Sequence, residues 1–254
     1  MLKINSLTVK VEDQEILKNF DLEINDDSIH ALLGANGVGK STISKTILKA
    51  PDYKITKGEI YYNNKKLNDL TTTEISRLGI HLISQAPIAI EGVTNAEMLR
   101  TALGEITNSY VDIFAFNKKM ENICKSLDIP KSFIHRSIND GMSGGERKKN
   151  ELLHLWMLEP KFVILDEIDS GLDVDALKIV GESLKEYYEK TKCSILIITH
   201  SIELLNILKP TKVHVLKDKK ITKTGDFNLA KKIFKEGFNA LNKADEVGEK
   251  KTHE

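Results

Sequence analysis

The chain has 254 residues, with 37 lysines and arginines balanced by 37 aspartates and glutamates. This length suits one large domain that buries its own core without disulfide bonds. The zero formal charge argues against partners held mainly by electrostatic attraction, such as nucleic acid or an anionic membrane surface. The two cysteines exclude a disulfide scaffold, and the longest aliphatic runs fall far short of the ~20 residues that cross a bilayer. We therefore expect a cytoplasmic protein with no nucleic-acid partner and no direct membrane insertion.

Short apolar or alternating runs predict strands in the first third of the chain. The turn signal Asn25-Asp26-Asp27 precedes residues 29–33, which have the composition of a buried strand. A glycine-rich loop follows, and then a predicted helix over residues 41–48. The predicted strands of this part are residues 2–9, 22–24, 29–33, 58–62 and 80–84.

The pattern changes between Pro87 and Pro160, where helical periodicity replaces strand-like runs. Helices are predicted there over 95–103, 117–127 and 144–158. Strands then return at 162–165, 194–198 and 212–216, with a helix over 174–190 between the first two.

The alternation of strand and helix predicts an α/β fold with a mostly parallel sheet that carries helices on both faces. Residues 1–86 and 161–242 would form this core, and residues 87–160 a helical subdomain inserted into it. The polar residues 243–254 are expected to fray.

A phosphate-binding loop is predicted at residues 34–42, which match G-x-x-x-x-G-K-[ST] in full. Glycines let successive backbone N–H groups point at phosphate oxygens, and the helix that follows offers its positive end. Lysine supplies a charge to the β- and γ-phosphates, and the serine hydroxyl is a ligand for Mg²⁺. A chance glycine turn is the alternative, but the position between a buried strand and a helix favours mononucleotide binding. The residues are Gly34, Ala35, Asn36, Gly37, Val38, Gly39, Lys40, Ser41 and Thr42.

Two further strands end in residues suited to phosphate chemistry. Asp166 and Glu167 follow the apolar run 162–165, and His200 follows Thr199 at the end of the predicted strand 194–198, which is apolar over residues 195–198. Ligands of open α/β sheets bind at the carboxyl ends of strands, where Asp166 would hold Mg²⁺ and Glu167 would polarise the attacking water. His200 would contact the γ-phosphate and the same water. Solvated loop acids and a structural histidine are the alternatives.

The order of these motifs resembles the ATP-binding-cassette (ABC) ATPases. Met142-Ser143-Gly144-Gly145-Glu146 is similar to the LSGGQ signature of that family, although Ser-Gly-Gly alone would also suit an ordinary helix cap. Gln85 resembles the family's Q-loop residue, which touches Mg²⁺ and the water. Ser170-Gly171-Leu172-Asp173 resembles the D-loop, and His200 the switch histidine.

The resemblance implies a P-loop NTPase fold, with a RecA-like core, an antiparallel β subdomain and an inserted helical subdomain. It further implies Mg²⁺-dependent ATP hydrolysis in a transient head-to-tail homodimer, in which each ATP lies between one chain's phosphate-binding loop and the other chain's signature. Nucleotide contacts are therefore expected from Gln85, Ser143, Gly144, Gly145, Glu146 and Asp173 as well. The aromatic residue on which the family often stacks adenine is absent from residues 9–12.

A finer resemblance concerns the SufC family of ABC ATPases, which power iron–sulfur cluster assembly. Residues 143–151 (SGGERKKNE), residues 158–178 and the segment after Gln85 are similar to that family. This resemblance implies soluble partners like SufB and SufD, with the segment after Gln85 receiving a partner helix. The ATP-binding subunit of a membrane transporter is the alternative. A nucleotide-gated assembly factor is a third possibility, which Glu167 argues against because a gate needs no catalytic acid.

The cations and cysteines of the chain allow simpler interpretations. Arg147, Lys148 and Lys149 predict either a solvated helix face or a resting pair between Lys148 and Glu167 that holds the acid out of position. Cys124 and Cys193 lack ligand spacing, so each is expected to be a small buried hydrophobe, and no cluster or structural metal is expected on this chain.

Overall fold

The computed structural model describes residues 1–238. The strands are Leu2–Val11 (β1), Gln14–Ile24 (β2), Ile29–Leu33 (β3), Tyr53–Tyr62 (β4), Lys65–Lys66 (β5), Ile80–Ile83 (β6), Ile90–Thr94 (β7), Ser137–Ile138 (β8), Phe162–Asp166 (β9), Ser194–Ile198 (β10), Lys212–Lys217 (β11) and Lys220–Gly225 (β12). The helices are Lys40–Ile47 (α1), Thr72–Arg77 (α2), Asn95–Thr107 (α3), Ile113–Ser126 (α4), Gly144–Leu158 (α5), Val174–Thr191 (α6), Ile202–Leu208 (α7) and Phe227–Glu236 (α8), with a 3₁₀ turn over Lys131–His135.

The central sheet has six strands in the order β12-β11-β3-β10-β9-β6. Its first five strands from the β6 side run parallel, and only β12 is antiparallel to its neighbour. The register pairs Ile198 of β10 with both Leu32 of β3 and Asp166 of β9. The carboxyl ends of β3, β10, β9 and β6 therefore meet at one edge, and this edge carries the predicted phosphate-binding loop and the predicted acids.

Both faces of this sheet are buried, which explains the continuous apolar runs of its strands. Because strand side chains alternate, β3 contributes Ala31 and Leu33 to one core and Leu32 to the other. In the same way, β9 places Val163 and Leu165 on one side and Ile164 on the other. The first core packs against α5, α6 and α7, and the second packs against α1 and a separate antiparallel sheet.

The antiparallel sheet has the order β2-β1-β4-β5. Helix α1 packs between it and the central sheet through Ile43 and Ile47, both fully buried. The α/β fold with an additional antiparallel sheet is thus confirmed. Strand β2 begins at Gln14 rather than at the predicted residue 22, because Glu12 adopts a left-handed conformation (φ 52°) and turns the chain tightly after β1.

The region from residue 87 to 160 differs from the prediction in one respect. Its predicted helices exist as α3, α4 and α5, but the expectation that it contains no strands is wrong. Strand β7 pairs with the two-residue strand β8, with Ile90 opposite Ile138. This ribbon joins segments about 45 residues apart, and two residues are too short for a periodic signal.

Outside that region, the structure contains five elements that the sequence patterns do not predict: β5, α2, α7, β12 and α8.

Three further expectations concern burial and the chain ends. Cys124 and Cys193 are free and buried, as predicted, and burial raises the pKa of both thiols. In the part of the chain that the structure describes, no helix is long and apolar enough to cross a membrane. The predicted frayed tail, residues 243–254, lies outside the described residues.

Candidate nucleotide site

The phosphate-binding loop connects the end of β3 to the start of α1. A Cβ atom at Gly34 would lie 2.7 Å from the carbonyl oxygen of Leu216, so only glycine fits where the loop passes β11. Gly39, immediately before α1, has φ +102°, and a Cβ there would lie 2.8 Å from Ile16. Ala35, Asn36 and Gly37 are exposed. The loop therefore presents an open backbone surface ahead of the amino end of α1, where unpaired N–H groups favour an anion.

Lys40 is the buried cation of this site. Its ammonium group donates to the carbonyl oxygens of Gly34 (3.0 Å) and Ala35 (3.1 Å), and it lies 3.9 Å from Glu167 Oε1. Burial lowers the pKa of Lys40, while the carboxylates of Glu167 and Asp166 oppose that shift. The amine is thus held inside the loop, at the place where a phosphate group would meet it.

Asp166 is fixed by two hydroxyl groups of α1. Ser41 Oγ donates to Asp166 Oδ1 (2.8 Å), and Ser44 Oγ donates to Asp166 Oδ2 (2.7 Å). Serines three residues apart lie on one face of a helix, so both oxygens of the carboxylate are oriented. Sequence reasoning identified Ser41 and Asp166 but missed Ser44, for which the S-x-x-S spacing after the lysine is the only local signal.

Glu167 is turned toward the loop by an uncommon backbone conformation. Its φ is +49°, and its N–H donates to the carbonyl oxygen of Ile198 (2.8 Å), which ties it to the end of β10. Its carboxylate lies 3.9 Å from Lys40 Nζ and 3.6 Å from His200 Nε2. The structure therefore brings together Lys40, Glu167 and His200, which are 127 and 33 residues apart along the chain.

The predicted pair between Lys148 and Glu167 is wrong. Lys148 Nζ donates instead to the carbonyl oxygens of Ser84 (3.0 Å) and Gln85 (3.1 Å). The alternative, a solvated face, is also wrong for Lys148, which is only 5% exposed. The physical reason is the backbone turn at Glu167 (φ +49°), which places its carboxylate 3.9 Å from Lys40 Nζ and 3.6 Å from His200 Nε2.

The signature residues form a helix cap at the start of α5. Ser143 Oγ accepts from the N–H of Glu146 (3.3 Å), and Glu146 Oε2 accepts from the N–H of Ser143 (2.8 Å). A Cβ at Gly144 or Gly145 would meet no atom within 4 Å, so this surface is open to a second molecule. Asp173 likewise caps α6 by accepting from the N–H of Ala176 (2.7 Å).

These cap residues do not join the phosphate-binding loop of their own chain. Within residues 1–238, no hydrogen bond or ion pair links Ser143, Glu146 or Asp173 to residues 34–42. Gln85 lies at the same sheet edge as the loop, with an exposed side chain, and is held through its backbone by Lys148. The candidate site within one chain thus combines the loop, Asp166, Glu167 and His200, with Gln85 at the same sheet edge.

A buried polar network that sequence reasoning missed lies behind this edge. Asn150 of α5 donates to both Asn95 Oδ1 and Asn139 Oδ1 (3.1 Å each), and His154 Nε2 lies 2.7 Å from Asn95 Oδ1. Asn139 in turn donates to the carbonyl oxygen of Ile88 (3.1 Å). The network connects α5 with the start of α3 and with the segment after Gln85.

Glu151, the residue after Asn150 on α5, is expected to make the free energy of unfolding depend on pH. Burial raises the pKa of its carboxyl to about 7, despite the opposing effects of Asn139 and Lys148. Between pH 4.5 and 7 the unfolded chain therefore binds fewer protons than the folded one, and the free energy of unfolding falls as pH rises. We expect Glu151→Gln to raise that free energy by about 1–3 kcal/mol at pH 8 and by much less at pH 5. Urea unfolding at both pH values, with the exposed Glu182→Gln as control, measures this, and an equal effect at both values would contradict it.

The donor set fits a nucleotide with Mg²⁺. A buried ammonium group, an open loop of backbone N–H groups and a helix amino end suit phosphate oxygens. A serine hydroxyl next to an oriented carboxylate supplies the oxygen ligands that Mg²⁺ prefers. This edge of the sheet therefore has the character of a P-loop nucleotide-binding site.

Comparison with known proteins agrees with this class. The chain matches the ABC transporter family over residues 17–170, and it belongs to that family. It is 42% identical over 243 residues to a probable ABC transporter ATP-binding protein of Streptococcus pyogenes serotype M3, covering 95% of this chain and 94% of that one. It is 40% identical over 247 residues to the probable ATP-dependent transporter ycf16 of Antithamnion sp., covering 96% and 98%. It is therefore an ABC ATP-binding subunit, whose family binds ATP with Mg²⁺.

Solved structures share its fold. A dimeric, post-hydrolysis state of the ATP-binding cassette MJ0796, bound to ADP and Pi, superposes with a TM-score of 0.75 at 22% identity, covering 89% of this chain and 98% of that one. The cbiO1 protein of Clostridium perfringens, part of the transporter complex cbiONQ, has a TM-score of 0.71 at 22% identity and covers 98% of both chains. These likenesses confirm the ABC ATPase fold.

Proposed function

We propose that this chain hydrolyses ATP with Mg²⁺ and uses closure of a transient head-to-tail homodimer to move a soluble SufB- and SufD-like scaffold during iron–sulfur cluster assembly. The observation that carries the hydrolytic part is the meeting of Lys40, Glu167 and His200 at one sheet edge. A protein that only binds ATP would need Lys40, but it would not need the carboxylate of Glu167 close to that lysine.

Each residue has a distinct role in this proposal. Lys40 binds the β- and γ-phosphates, and the loop N–H groups orient them. Glu167 accepts a proton from the attacking water, and His200 positions that water against the γ-phosphate. Ser41, Asp166 and Gln85 would hold Mg²⁺, which when bound neutralises charge on the phosphate oxygens. The catalytic effect comes from positioning and from charges placed in advance.

The open signature supports the dimeric form of the site. Gly144 and Gly145 have no neighbours where a side chain would lie, and the cap at Ser143 is closed by Glu146 of its own helix and makes no bond to residues 34–42. Residues 143–146 of one chain would therefore contact the nucleotide held by the other chain. Asp173, at the start of α6, would contact it from the same opposite chain. The division into a core (1–86 and 161–242, of which 239–242 lie outside the described residues) and a helical subdomain with the signature (87–160) belongs to this proposal.

Two features support a SufC-like role. The polar residues of the SufC-like run, Lys148, Asn150 and Glu151, are buried. Lys148 donates to the backbone of Ser84 and Gln85, and Asn150 donates to Asn139, which in turn donates to Ile88 O. That segment exposes Ile88 (79% exposed) together with Ile90 and Val93, which form an apolar surface suited to a partner helix. Residues of the SufC-like run (143–151) are thus hydrogen-bonded, directly or through Asn139, to the segment whose apolar surface a partner would contact.

Co-expression with SufB- and SufD-like proteins tests the partner assignment. We expect a complex that forms with the parent chain and is lost, by at least about tenfold in recovered partner, with Ile88→Asp. Phe114→Asp is the matched control, because Phe114 is equally exposed but lies on α4. Failure of the parent chain to bind either scaffold protein would overturn the SufC-like role.

The ATP-binding subunit of a membrane transporter is the second candidate. The names of the Streptococcus pyogenes and Antithamnion relatives favour it. It requires the same nucleotide chemistry and differs only in the partner. Co-purification of a polytopic membrane protein through the surface around Ile88, in place of scaffold proteins, would establish this alternative.

A further inference from the structure

Lys148 is a buried cation that the proposed chemistry does not use. It belongs to the second turn of α5 and is 5% exposed. Burial lowers the pKa of its ammonium group, while Glu151, Asp169 and Asp166 oppose that shift. Desolvating an ammonium group is costly unless it is hydrogen-bonded, so its two carbonyl partners are a substantial part of what keeps it there.

Those two partners are consecutive backbone oxygens just after β6. Lys148 Nζ donates to Ser84 O at 3.0 Å and to Gln85 O at 3.1 Å. These two bonds fix the backbone on both sides of the Gln85 nitrogen and α-carbon. Hydrogen bonds from charged groups are stronger than neutral ones. A second, indirect link reaches Ile88, because Asn150 of α5 donates to Asn139, which lies between β8 and α5 and donates to Ile88 O. The segment from Ser84 to Ile88 is therefore attached to α5 at both ends.

Helix α5 begins with the signature residues. Lys148 lies only two residues after Glu146, so any rotation of α5 moves the ammonium group with the cap. Gln85, by contrast, follows β6 at the sheet edge that also carries the phosphate-binding loop of its own chain. One side chain thus connects the helix that begins with the signature residues to the backbone of Gln85.

We propose that Lys148 is a positioning residue that sets the orientation of Gln85 through the backbone of Ser84 and Gln85, and so couples engagement of the signature to hydrolysis of the ATP in the same chain. This rests on the proposed ATPase function. Lys148 touches neither nucleotide nor water, and its effect passes through Gln85.

The test is a kinetic comparison of Lys148→Met with the parent chain, assembled with its partners. We expect kcat to fall about tenfold while the equilibrium affinity for ATP stays within about twofold. Lys148→Arg, which keeps a cation with several donors, should recover kcat to within about threefold of the parent. In a chain that already carries Gln85→Ala, Lys148→Met should cause no further loss of kcat. The reason is that both changes remove the contribution of the Gln85 side chain to hydrolysis.

Lys149→Met is the matched control, since Lys149 is the next cation of α5 and donates to Asp128 O instead. An unchanged kcat for Lys148→Met, or a full additional loss in the Gln85→Ala background, would overturn the proposal. Amide exchange of Ser84, Gln85, Ala86 and Ile88 without nucleotide gives a readout that does not need turnover. It should accelerate at least about fivefold in Lys148→Met and not in Lys149→Met, and equal exchange would overturn the tie. A parent chain without ATP turnover would refute the proposed function. The amide-exchange result would then still test whether Lys148 fixes the backbone of Ser84 and Gln85.

Discussion

Glu167→Gln is expected to lower ATP turnover by at least about 100-fold while ATP affinity stays within about threefold. The amide has nearly the same shape as the carboxylate, so the contacts with Lys40 and His200 are altered little in geometry. It cannot accept a proton from water, and loss of a general base typically costs 10²–10⁴ in rate. Asp166 keeps its two serine donors, and Mg²⁺ binding is therefore expected to persist. Steady-state phosphate release and equilibrium ATP binding measure the two quantities.

The same variant should accumulate as an ATP-bound dimer, because closure no longer ends in hydrolysis. Light scattering with Mg²⁺ and ATP should report twice the monomer mass, and removal of ATP should return it to the monomer. Glu182→Gln on the exposed face of α6 is the control and should behave like the parent. Parent-like hydrolysis by Glu167→Gln would refute the assignment of the base. A failure to detect pairs by scattering or crosslinking, even with partners and nucleotide present, would refute the dimeric mechanism.

Lys40→Met is expected to weaken ATP binding by about 100-fold and to abolish measurable turnover. The ammonium group is the buried cation of the phosphate-binding loop, and it faces the open backbone surface where a phosphate group would lie. Preorganised charges in such sites contribute several kcal/mol to phosphate chemistry. Folding should be preserved, since methionine fills similar volume and removes the desolvation of a charge. Titration with a fluorescent ATP analogue and thermal unfolding test both statements.

Lys45→Met is the appropriate control for that variant. Lys45 belongs to the same helix α1 but is exposed, and its ammonium group lies over the ring of Tyr53. Its loss should leave ATP affinity within about twofold of the parent. Parent-like ATP affinity in Lys40→Met would show that residues 34–42 are not the phosphate site.

The chemistry-bearing residues were predictable where local signals and strand position coincide. The loop 34–42 combines a complete motif with a buried strand before it and a helix after it. Asp166, Glu167 and His200 each follow a continuous apolar run, and parallel strands must end at a common edge. Helix α5 and strand β10 have the predicted bounds. Helix α5 starts at a capping box on Ser143, and β10 contains the continuous apolar run over residues 195–198.

The unpredicted parts depend on contacts between distant segments. Strand β8 has two residues and exists only because β7 lies beside it. The positive φ of Glu167 follows from its backbone bond to Ile198, which lies on a neighbouring strand. The burial of Lys148 and Glu151 could not be predicted, because three consecutive cations indicate a solvated face when only periodicity is considered.

The amino-acid sequence by itself determined the fold class, the phosphate-binding loop and the order of the acids and the histidine. These depend on backbone conformation and on alternation of apolar residues, both of which are local properties. Only the tertiary structure decided which side chains meet: Lys40 with Glu167 and His200, both serines with Asp166, and Lys148 with the backbone of Gln85. A buried charged group must have a hydrogen-bonding partner within about 3 Å. Which partner lies that close depends on how distant segments of the chain pack together.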